Sequence, residues 1–146
     1  MDKSIIREVL GNKISDKIIH LERLIEEARA SNNDTKSSMG DKYETSREML
    51  QQEINNLQKQ LNEVLNQQLV FRRIGTEPCS QGQNGALVKT NKGLFYISVS
   101  AGDLMVNGKK VTAVSQESPL AKMMFGRKMG DTFEVNTIEQ TIQEIW

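Results

Sequence analysis

A chain of 146 residues and 16.5 kDa has the size of one domain, or of one small domain with an extended appendage, which excludes large multidomain enzyme architectures. With 37% hydrophobic and 26% charged residues and a mean hydropathy of −0.51, it is too polar for a membrane protein and too apolar for full disorder. Lysine plus arginine and aspartate plus glutamate each number 19, so the chain lacks the basic footprint of a protein that holds nucleic acid unaided, and any such contact is expected through a partner.

The opening Met1-Asp2-Lys3-Ser4 leads straight into a charged amphipathic segment with no apolar signal core. No apolar run approaches the roughly 20 residues that cross a bilayer. With a single cysteine, Cys79, a cytoplasmic protein without an internal disulfide or membrane contact is expected.

From Ile5 to about Leu69 there is no proline, and only Gly11 and Gly40 interrupt a sequence of helix formers. Ile14, Ile18, Leu21, Ile25 and Ala28 recur at spacings of four, three, four and three, as do Leu50, Ile54, Leu57, Leu61 and Val64. Both stretches read as coiled-coil seams. Pairing the first forwards with the second backwards sets Ala28 against Leu50, Ile25 against Ile54, Leu21 against Leu57, Ile18 against Leu61 and Ile14 against Val64. Every seam residue then has a partner if the chain reverses about residues 39 and 40, which predicts one antiparallel helical hairpin over residues 1–72. The polar segment Ser31 to Glu44, rich in cap and turn formers, is expected to form its tip. At 1.5 Å per residue, an arm from Ile5 to Ala30 is roughly 38 Å long.

Residues 73–146 read as a second domain, where glycines cluster and apolar runs shorten. Strands are predicted at Ala86 to Thr90 and Leu94 to Val99 about the turn Asn91-Lys92-Gly93, and on either side of Asn107-Gly108. A short helix should follow Ser118-Pro119 and stop at Gly126, with Met123, Met124 and Phe125 directed to the core. A strand at Thr132 to Val135 comes next. The last segment has both helical and strand spacing and is read as a strand. The fold class is α+β: a helical hairpin followed by an antiparallel sheet with one short helix.

No cluster supports a stand-alone enzyme. Cys79 lies in a polar stretch and His20 on a helix far away in sequence, so they read as an inert cysteine and a solvated histidine. Asp41 and Glu44 stand three apart, which directs both carboxylates to one side of a helix starting there. The same spacing fits a helix capping box, and Ser38 offers another cap.

A hairpin with Gly40-Asp41-Lys42-Tyr43-Glu44 at its turn, followed by a β-rich domain carrying Ser118-Pro119-Leu120-Ala121 and Gly126-Arg127-Lys128-Met129-Gly130-Asp131, resembles the Gre-type bacterial transcription elongation factors, over nearly the whole chain. The resemblance implies an FKBP-like C-terminal domain without prolyl isomerase activity. It also implies a hairpin that enters the secondary channel of RNA polymerase and stimulates that enzyme's own Mg²⁺-dependent cleavage of backtracked RNA. Asp41 and Glu44 would be the catalytic and metal-binding carboxylates, acting only within the polymerase complex, with Asp41 the principal one. Mg²⁺ would be shared with the polymerase, no cofactor bound by the chain alone, and the nascent RNA 3′ end met only inside the polymerase. Glu117, Ser118, Pro119 and Leu120 would form the docking surface; Ser118-Pro119 reads equally as a helix start whose Leu120 packs inward. Where the family continues past the tip glutamate with Asn-Ala-Glu-Tyr, this chain reads Thr45-Ser46-Arg47-Glu48, and Tyr43 occupies a site usually small and polar. A channel-binding regulator without cleavage activity and a coiled-coil scaffold are the alternative functions.

Overall fold

The computed structural model describes residues 1–36 and 44–146; of residues 33–36, 44 and 45 only the backbone is described. Two long helices come first, α1 at Lys3–Lys36 and α2 at Glu44–Arg72. The first begins where Asp2 supplies its cap, Oδ1 accepting from the Ser4 amide at 2.9 Å. The Ser4 hydroxyl donates to the same oxygen and holds the Asp2 carboxyl below its ordinary pKa. The first arm, expected to close near Ala30, continues to Lys36 because neither glycine nor proline interrupts it there.

The helices form an antiparallel hairpin held by most of the predicted seam, with Leu50 and Leu57 only half-buried. Ile14, Ile18, Leu21, Ile25 and Ala28 of α1 are buried, as are Ile54, Leu61 and Val64 of α2, while the residues between them are mostly exposed. Each buried isoleucine, leucine or valine of the seam stabilises the pair by about 1.5–3 kcal/mol, and Ala28 by less. Lower down, a Cβ on Gly11 would meet the Phe71 ring at 2.9 Å. Helical side chains lean toward the N-terminus, so Phe71 covers the turn before it, which is where the seam register places the partner of Gly11. The seam residues Ile14 to Val64 fall in one compact unit, Ile14–Asn66; Met1–Lys13 and Gln67–Trp146 form another.

In that second unit six strands form one sheet in the order β3-β4-β2-β1-β6-β5. They are β1 Leu87–Thr90, β2 Gly93–Ser98, β3 Gly102–Val106, β4 Lys109–Ser115, β5 Thr132–Val135 and β6 Ile138–Ile145, with the short helix α3 at Pro119–Met124 before β5. Three two-residue hairpins match the turn residues. The β3–β4 turn has Asn107 and Gly108 at φ 51° and 77°, and the β5–β6 turn has Asn136 and Thr137 at 54° and 66°. The expectation of an antiparallel sheet holds for every pair but one. Strands β2 and β4 run parallel, because the β3–β4 hairpin folds back beside β2 and lays its second strand in the same direction.

Central strands are covered on both faces, so Leu87 and Val88, and Tyr96 and Ile97, are buried in succession. One layer comprises Ala86, Val88, Ile97, Phe133 and Ile142 with Ala121 and Met124 of α3. The other contains Leu87, Tyr96, Leu104, Val111 and Ala113, which share a face by register, and the fully buried Ile6 and Leu10 of α1 belong to the same unit.

Gly82 fixes the approach of the segment entering the sheet. Its amide donates to Arg127 O and its carbonyl accepts from Gly126 N, both at 2.9 Å, and a Cβ there would lie 1.8 Å from Met124 O. Backbone on both sides leaves no room to yield. Gly82→Ala is therefore expected to destabilise the protein by about 3 kcal/mol, as overpacking does at its upper range, measured as a fall in the urea midpoint at unchanged slope.

Candidate functional site

Helix α1 ends at Lys36 and α2 begins at Glu44. Asp41 falls between them in sequence, outside the described residues, and Glu44 is the first residue of α2 with its side chain outside them. The capping-box reading of this pair and the role of Ser38 likewise fall outside the described residues. Among the described residues, no three His, Cys, Asp or Glu side chains gather into a group that could hold a metal.

The second candidate surface surrounds α3. Ser118, in extended conformation at φ −66° and ψ 150°, accepts the Ala121 amide on its hydroxyl at 3.1 Å, and Pro119 opens the helix. Glu117 and Pro119 are exposed, Ser118 is half-buried as the cap, and Leu120 is half-buried against the core. Met123, Met124 and Phe125 were all expected in the core, and this needs correction. A six-residue helix turns one face to the sheet, at Ala121 and Met124, leaving Met123 and Phe125 exposed at 36% and 40%.

The following turn is tightly fixed. Phe125 N donates to Ala121 O, Arg127 Nε to Met123 O at 2.6 Å and Arg127 Nη1 to Thr132 O at 3.1 Å. Asp131 Oδ2 accepts the Lys128 amide at 2.8 Å. These bonds hold Met129 outward with 67% of its surface exposed. Three large apolar side chains are thus presented within seven residues, beside the exposed Lys122 and Lys128. Sequence reasoning missed Met123, Phe125 and Met129; the signal was the three-residue spacing of Ala121 and Met124, which assigns the intervening Met123 to solvent.

A polar cluster ties the start of α1 to the segment after α2. Lys3, only 6% exposed, donates to Glu77 O at 2.5 Å, Gly85 O at 3.0 Å and Cys79 Sγ at 3.6 Å. Arg7 donates from Nε to Ile74 O at 2.7 Å and stacks 4.4 Å above the Phe71 ring. The Tyr96 hydroxyl is buried without a hydrogen-bond partner among the described residues. Burial raises the Tyr96 pKa above its ordinary value of 10.0, Arg7 opposing and the Cys79 thiol adding to the effect. His20 is exposed, its Nδ1 3.1 Å from Arg23 Nη2.

No family model matches the chain, and no curated protein matches it. Among solved structures, the crystal structure of GreA factor homolog 1 (Gfh1) of Thermus thermophilus is similar over 93% of this chain and 94% of its own, with 14% identity and a TM-score of 0.39. That likeness is too distant to carry function.

The buried Tyr96 hydroxyl yields a test. Native protein holds the Tyr96 proton more tightly than the unfolded chain does, so stability is full below pH about 10 and falls as pH rises from there through the raised native value. Tyr96→Phe is expected to leave stability at pH 7 unchanged or raised by about 1 kcal/mol, since an unpaired buried hydroxyl is removed, and to flatten the alkaline decline. Urea titrations at pH 7, 10 and 11 check both.

Proposed function

We propose that this chain is a Gre-like transcription elongation factor, one that inserts the turn of its helical hairpin into the secondary channel of RNA polymerase and stimulates the polymerase's own cleavage of backtracked RNA. The supporting observation is where the hairpin reverses. Helix α1 ends at Lys36 and α2 begins at Glu44, so in sequence Gly40 and Asp41 fall between the two helices and Glu44 opens the second, which supports the reading of this pair as the hairpin's acidic tip.

Two carboxylates suit Mg²⁺, which prefers oxygen ligands and retains several waters, but they are too few to hold it tightly. In this reading Asp41 and Glu44 complete a site built otherwise from polymerase carboxylates and RNA phosphate, and the activity exists only in the complex. Bound there, Mg²⁺ supplies activation of water for phosphodiester hydrolysis. The chain's own part is to place acidic oxygens, with Asp41 the principal donor and Glu44 its helper. Docking is assigned to the α3 region, where Glu117 to Leu120 adjoin the exposed Met123, Phe125 and Met129. A second reading, channel occupancy without cleavage, is favoured by Tyr43 and Thr45-Ser46-Arg47-Glu48.

Purified bacterial polymerase stalled in a backtracked complex decides between them. The chain is expected to accelerate shortening of the RNA, and Asp41→Ala with Glu44→Ala to reduce that acceleration by roughly 100-fold while polymerase affinity stays within about threefold. Protein that binds but leaves the RNA intact establishes the second reading. Separately, Met129→Glu is expected to weaken polymerase binding by at least about tenfold in a titration, with cleavage at saturating protein unchanged.

A further inference from the structure

We propose that Cys79 and Lys3 form an oxidation-dependent covalent link, a sulfenamide between Sγ and Nζ, that fastens the first turn of α1 to the segment leading into the sheet. This inference is independent of the proposed function. It starts from how the amine is held. Its two oxygen acceptors, Glu77 O and Gly85 O, are main-chain carbonyls, and its third polar neighbour is the Cys79 sulfur at 3.6 Å. Three donors and three acceptors leave the amine no other orientation. At 6% exposure Lys3 is screened from solvent, while Cys79 is half-buried and open to a small oxidant.

The oxidant is a peroxide. In the first step sulfur takes one oxygen from H₂O₂, the O–O bond breaks, and Cys–SH with H₂O₂ gives Cys–SOH with H₂O; sulfur is oxidised by two electrons and the peroxide reduced by two. In the second, the Lys3 ammonium passes a proton to the neighbouring sulfenic oxygen, its lone pair attacks sulfur, the S–O bond breaks and water leaves carrying away a second proton from nitrogen as H₃O⁺, giving Cys–S–NH–Lys. A thiol reductant reverses the link by attack at sulfur, restoring the amine. With Cys79 the chain's single cysteine, no internal thiol competes for the sulfenic acid, and the adjacent amine is the nucleophile in place to capture it. The link joins residues 76 apart in sequence, so closing it removes many conformations from the unfolded chain.

The test treats the full-length folded chain with hydrogen peroxide, with and without dimedone, and maps peptides. Wild type is expected to lose about 2 Da, the mass of two hydrogens, to show Lys3 joined to Cys79, to resist tryptic cleavage after Lys3 and to incorporate little dimedone. Its Tm should rise by on the order of 5–10 °C and return on addition of dithiothreitol. Cys79→Ser should show none of these changes, and Lys3→Gln should accumulate dimedone adduct at Cys79. Dimedone labelling of wild type equal to that of Lys3→Gln, or Cys79 recovered as sulfinic acid or intermolecular disulfide with Lys3 free, would overturn the proposal. Should Lys3→Gln fail to fold, the wild-type peptide map decides by itself.

Discussion

The hairpin depends on one apolar seam. Along α1 and α2 the apolar residues alternate steps of three and four, so each helix has a single narrow stripe to bury; Ile14, Ile18, Leu21, Ile25 and Ala28 are buried with Ile54, Leu61 and Val64, and Leu50 and Leu57 are half-buried. Flanking positions are largely Glu, Lys, Gln and Asn and stay in water. The ion pair between Arg23 and Glu27, 4.0 Å apart within α1 and exposed, contributes little beside that burial. A charge placed at any buried seam position would therefore cost more than the loss of all surface pairs.

The other compact unit is organised differently. Its sheet is covered on both faces, and the segment between α2 and β1 carries almost no regular structure, so its backbone groups must find partners elsewhere. Lys3 and Arg7 satisfy the carbonyls of Ile74, Glu77 and Gly85, and Gly82 exchanges bonds with the end of α3. Two basic side chains of the first two turns of α1 thereby do for this segment what a strand partner does inside a sheet. No helix among the described residues is long and apolar enough to cross a membrane.

Much of the fold was legible because local rules and tertiary demand agreed. The seam, the Asn107-Gly108 turn and the Ser118 cap each have one cheap conformation, and the structure adopts it. The ambiguous last segment resolves as β6 because β1 and β5 pair with it on both sides, a fact that no local pattern carries. The parallel β2–β4 pairing was equally hidden, since strand order is set by long-range packing. Met123 and Phe125 were misplaced because hydrophobicity says what a side chain prefers, and the one available face of a six-residue helix says what it receives. Lys3 was invisible: nothing in its neighbours Asp2 and Ser4 announces that two carbonyls more than 70 residues away will bury its amine. Of the candidate site, Asp41 and Glu44 rest on the sequence motif alone, because Asp41 and the Glu44 side chain lie outside the described residues.

The functional proposal joins these parts. In that proposal the helical hairpin carries the acidic pair, and the sheet unit, with Met123, Phe125 and Met129 exposed beside Lys122 and Lys128, supplies the docking surface. Neither part needs a reaction centre of its own if the chemistry belongs to that partner. The most direct measurement places a photoreactive group at Tyr43 and illuminates the chain bound to a backtracked RNA polymerase complex. Crosslinks to the 3′-terminal nucleotides of the RNA are expected; crosslinks confined to the outer surface of the polymerase, with none to the RNA, would contradict delivery of the acidic pair to the reaction centre.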